Sequence, residues 1–94
     1  KGKRGIMKEF LFYLESNDGR PVSTDYANPT EGVTALQVKA AIDKFCRKHD
    51  LKCDEYESLP EGGYRAYLYK KALFKKNSRE LIFFIRQDSG QDAD

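Results

Sequence analysis

Arg65, Tyr67, Tyr69 and Lys71 occupy alternate positions of the stretch GYRAYLYKKALFKKN. In a β-strand that spacing puts all four on one face. Rings between cations suit single-stranded nucleic acid, because bases stack on the rings while Arg and Lys neutralise phosphates. The same pattern also makes an ordinary solvated sheet face, since Tyr favours strands and Lys methylenes cover ring surface. Pleat alternation adds Tyr13, Tyr56, Phe84 and Arg86 to this face and turns Ala66, Leu68 and Ala72 toward a core. Lys70, Lys71, Lys75, Lys76 and Arg79 gather around the next turn. Cations there can track phosphates without reading sequence, or only prevent sheet edges from associating. The candidate contact residues are therefore Tyr13, Arg65, Tyr67, Tyr69, Lys71, Lys75, Lys76, Arg79 and Arg86.

Cys46, His49, Asp50 and Cys53 form the second cluster. Cys46 and His49 share a helix face, but a structural zinc site takes four Cys or His ligands, and only three are present. The sole histidine would also have to serve any Cys/His nucleophile. A helix C-terminus favours cations and disfavours the thiolate such a site needs. Asp54 alternates with Glu55 and Glu57, so no acid–base pair stands out. No phosphate-binding or dinucleotide fingerprint occurs. We expect no metal, no cofactor and no enzymatic activity.

The 94 residues suit one domain, with 39% hydrophobic and 34% charged positions; that balance is globular and not disordered. Net charge is +2 but unevenly spread. Asp50 to Glu61 carries −4, Tyr64 to Gln87 carries +6, and the tail DSGQDAD carries −3. A pI near 8.5 falls short of the value above about 9 common in nucleic-acid-binding domains. No run is long enough to span a membrane, and no signal peptide follows the basic KGKRGI. Cys46 and Cys53 fall on a helix and a strand expected to be neighbours, so a bridge is geometrically possible, but they read as reduced thiols of an intracellular protein, cytoplasmic or nuclear.

These residues need elements to hold them. MKEFLFYLES and RELIFFIRQ are apolar on both faces and read as central strands. LKCDEYES reads as an acidic edge strand, and YRAYLYKKALF as the strand of the opening pattern. Ser16 to Gly32 reads as one long loop, functional or mobile, or as a loop containing a short irregular strand near Val22, and KKNS reads as a turn. TALQ fits a capping box that starts a helix near Thr34, with Leu36, Val38, Ala41, Ile42, Phe45, Cys46 and His49 on its apolar face. The expected fold is α+β, in the order β–α–β–β–β, with one long helix on one face of a mainly antiparallel sheet. If KKALFKKNS is instead a helix, the order becomes the ferredoxin-like β–α–β–β–α–β. Residues 7–87 form the domain, Lys1–Ile6 a flexible lead and residues 88–94 an acidic disordered tail. No stretch carries a family signature.

The expected function is a small non-enzymatic binding module. A protein partner is favoured, through the sheet face, an edge or the long loop, because mixed charge suits protein complementarity. Nucleic acid, bound by the Tyr/Arg/Lys face and the Lys-rich turn, is the alternative.

Overall fold

Phe10, Phe12 and Leu14 alternate with Leu11 and Tyr13 in the first strand, so that it can bury both faces. In the computed structural model, which describes residues 7–70 and 79–88, this strand is β1, Lys8–Asn17. It is followed by β2 (Arg20–Pro21), β3 (Glu31–Ala35), α1 (Val38–His49), β4 (Lys52–Ser58), β5 (Tyr64–Lys70) and β6 (Arg79–Asp88). All pairings are antiparallel, in the order β2-β1-β6-β5-β4, and β3 joins the same side of β1 as β2. The chain is thus a single compact α+β domain, a six-stranded antiparallel sheet with one helix packed against it.

Two strands lie within and beside the segment expected to be a loop. The pairing of β3 with β1 runs from Lys8–Ala35 to Phe12–Glu31. It claims Thr34 and Ala35, so the helix begins at Val38 behind an extended Gln37 that makes no side-chain cap bond. A cap is worth about 1 kcal/mol. Burying Val33, which is 9% exposed, is worth about 1.5–3 kcal/mol, so strand pairing wins. Leu36 is left on the surface instead of on the helix's apolar face. The segment KKALFKKNS, expected as strand end and turn or as a helix, lies outside the described residues beyond Lys70, the last residue of β5. The lead Lys1–Ile6 and residues 89–94 lie outside them too.

The core lies between helix and sheet. Val38, Ala41, Ile42, Phe45 and Cys46 meet Phe10, Phe12, Ala66, Leu68, Phe83 and Ile85. Phe45 stacks on Phe12 with centroids 4.3 Å apart and meets the edge of Phe83 at 4.9 Å. The helix closes on Asp50 in the left-handed conformation, with φ 58°. Leu51 N–H then donates to Cys46 carbonyl at 2.8 Å, which turns the chain into β4. Arg47, Lys48 and His49 sit at the negative end of the helix.

Glu31 ties β3 to that helix end. Lys48 Nζ donates to it at 3.0 Å, and His49 Nε2 lies 2.8 Å from its other oxygen. Burial raises the Glu31 carboxyl's pKa, but the bonds to His49 and Lys48 outweigh it and hold the group below its ordinary 4.5. A carboxylate depressed on folding stabilises above its unfolded value and loses that contribution as pH falls through the folded one. Glu31→Gln should therefore cost about 0.5–1 kcal/mol near neutral pH, the range of a partly exposed ion pair. Urea unfolding at acid pH should show the two proteins converging. A gap that persists in acid would assign the loss to packing and not to charge.

Candidate functional site

The face of the sheet away from the helix follows from register. Tyr13 lies opposite Phe84 and Leu11 opposite Arg86. Arg65 lies opposite Phe84, Tyr67 opposite Ile82, and Tyr69 opposite Glu80. Tyr67 and Tyr69 therefore share the open face with Arg65 and Arg86, while Ala66 and Leu68 are buried beneath the helix. Arg79 pairs with Lys70 on the opposite pleat, at the far end of the sheet. Lys71, Lys75 and Lys76 lie outside the described residues.

Carboxylates interleave this face. Between Cys53 and Glu55 the β4–β5 register shifts by one residue, at a bulge containing Asp54. A bulge re-aims every side chain beyond it. Glu55 and Glu57 thus arrive opposite Tyr67 and Arg65 on the open face, and Tyr56 crosses to the helix side. Tyr67 hydroxyl donates to Glu57 Oε2 at 2.9 Å, and Arg65 Nε donates to Glu15 Oε1 at 3.2 Å. The bond to Glu57, then burial, pushes the Tyr67 phenol's pKa up. The bond to Glu15 likewise raises that of the Arg65 guanidinium. Phosphates approaching these rings would meet Glu15, Glu55 and Glu57 as well as Arg65.

Tyr13, a candidate contact residue, is 1% exposed and is not available on the surface. The segment between β2 and β3 folds Tyr26 over it, with ring centroids 5.6 Å apart. Tyr26 also meets Phe84 at 6.0 Å and donates its hydroxyl to Glu15 Oε2 at 2.6 Å. Arg86 lies 5.4 Å above the Tyr13 ring as a cation–π partner. Asp25 shapes this cover by accepting from Ala27 N–H at 2.9 Å and Asn28 Nδ2 at 2.7 Å. Those bonds, Asn28's first, lower the Asp25 carboxyl's pKa. The segment TDYANP carries this turn in its Asx chemistry; Tyr26 and Glu15 are the participants that the strand pattern alone does not reveal.

The edge strand β4 is open to solvent along its length. All seven residues of β4 are exposed, and β4 pairs only with β5 among the described residues. Leu59 N–H donates to Gly63 carbonyl at 3.0 Å. Antiparallel ladders alternate, so the Glu57–Arg65 and Glu55–Tyr67 pairs exchange hydrogen bonds. Tyr56 and Ser58 then present their N–H and C=O groups outward. Behind the edge runs a groove of about 490 Å³ between β4 and α1, lined by Lys39, Ile42, Asp43, Cys53, Asp54, Glu55 and Tyr56.

Both cysteines are free thiols. Cys46 is buried, its thiol pushed up to about 11 by burial, while Cys53 is an exposed free thiol on β4, raised mainly by burial too. Neither is an activated thiolate. His49 is engaged with Glu31 and tilts against Phe45 at 4.5 Å. Among the described residues no group of three or more His, Cys, Asp and Glu side chains is arranged to hold a metal ion. No helix among them is long and apolar enough to cross a membrane. Compared with family models, curated proteins and solved structures, the chain matches none.

Proposed function

We propose that the protein is a non-enzymatic binding module that recognises another protein by strand addition along β4. The observation that carries this is the free edge: seven exposed residues with outward backbone groups at Tyr56 and Ser58. An extended segment can complete those hydrogen bonds, while the alternating side chains of β4 select what it carries. Tyr67 and Tyr69, half-buried on the adjacent strand, offer ring surface beside the edge. A nucleic-acid partner fits less well, because carboxylates are placed among the rings and both Arg65 and Arg86 already have partners.

Ser58→Pro tests this reading. It removes one outward N–H from an edge strand, a position where proline is tolerated, and it should melt close to wild type. Linear peptides selected on the wild-type protein from a random displayed library should lose at least about tenfold in affinity, roughly 1.4 kcal/mol, on Ser58→Pro. They should bind Ser58→Ala as well as wild type. Selected peptides indifferent to a folded Ser58→Pro protein would place the contact elsewhere.

A further inference from the structure

The β4 edge has a side-chain code as well as a backbone one. We propose that its occupant is an extended cationic segment of a partner protein, in which Lys or Arg alternates with apolar residues. This rests on β4 being the docking edge.

The bulge at Asp54 sets the alternation. Beyond it, Glu55 and Glu57 stand on the open face and Tyr56 turns to the helix side. A strand added beside β4 lies about 4.8 Å away, and side chains directly opposite come within about 5 Å of each other. Occupant residues opposite Glu55 and Glu57 meet carboxylates. The residue between them faces the groove over Ile42 and Cys53, against Tyr56, a large side chain left 39% exposed. An apolar residue suits that place, and cations suit its two neighbours.

Charge also decides against other occupants. No ion pair engages Asp54, Glu55 or Glu57 among the described residues, and Glu57 accepts only the Tyr67 hydroxyl. A second copy of the chain pairing edge to edge would set the same carboxylates against each other, and like charges directly opposite are destabilising. An anionic strand meets the same repulsion. The acids of β4 thus block self-association and leave a cationic strand as the complement.

Three synthetic peptides separate these terms: one alternating Lys and Val, one of the same composition with Lys and Val in separate blocks, and one alternating Glu and Val. Fluorescence anisotropy with the full chain should give the alternating Lys peptide at least about tenfold tighter binding than either other peptide. Glu55→Lys/Glu57→Lys, checked for folding by circular dichroism, should reverse the order of the Lys and Glu alternating peptides. Equal binding of the alternating and blocked Lys peptides overturns the proposal, because charge alone would account for it. Preference for the Glu peptide, sensitive to Ser58→Pro, overturns the cationic code while the docking edge stands. Failure of all three peptides overturns the code as well; the docking edge itself then stands or falls with the Ser58→Pro response of the library-selected peptides.

Discussion

Phe45→Ala is expected to cost about 3–5 kcal/mol of stability, the range for removing a large aromatic from a core. Phe45 is 2% exposed and stands where the helix meets the sheet, stacked on Phe12 and edge-on to Phe83. Domains are stable by only about 5–15 kcal/mol in total, so the variant should unfold at a much lower urea concentration. Part of the loss belongs to the stack. A double-mutant cycle of Phe12→Leu with Phe45→Leu should return a coupling of about 0.5–1.5 kcal/mol. Unfolding of Phe45→Ala at the wild-type midpoint would mean that the helix packs on another face.

Gly63→Ala should be the second most damaging change of those considered, at about 2–5 kcal/mol, the sum of a conformational and a steric cost. The backbone there has φ +85°, and an added Cβ would lie 2.9 Å from the Ile85 carbonyl oxygen and 2.9 Å from the Phe84 ring. The left-handed conformation costs an alanine about 1–2 kcal/mol, and forcing atoms into filled space costs about 1–3 kcal/mol more. Gly19 separates the two contributions. Its φ is +83°, yet nothing lies within 4 Å of the place a Cβ would take. Gly19→Ala should therefore lose only the conformational part. Equal losses at the two sites, measured by urea unfolding, would show that the β4–β5 turn does not press against β6.

The large features of this fold were legible because they depend on local pattern. Phe83 and Ile85 alternate with Ile82 and Phe84, and that two-sided apolar run is why β6 sits between β1 and β5. Ala66 and Leu68 turning inward, with Tyr67 and Tyr69 outward, follows from the same period of two. Two things were not legible. Whether Thr34 caps a helix or pairs with Glu9 depends on where β1 lies, and neither residue's neighbours in the chain carry that information. The bulge at Asp54 has no glycine to mark it, yet it moves Glu55, Tyr56 and Glu57 to faces opposite those a simple alternation assigns. The face expected to be basic therefore acquires Glu55 and Glu57, and separately the segment between β2 and β3 lays Tyr26 over Tyr13. Both corrections move the candidate site from the middle of the sheet to its edge.

Amide hydrogen exchange along β4 tests that placement most directly. In the isolated chain, Tyr56 and Ser58 amides should exchange fast while Glu55 and Glu57, bonded toward β5, exchange slowly. Saturation with a library-selected peptide sensitive to Ser58→Pro should slow Tyr56 and Ser58 at least about tenfold, as each gains a strand partner. Protection of Tyr56 and Ser58 already present in the dilute free protein, or unchanged exchange at saturation, would contradict β4 as an open docking edge.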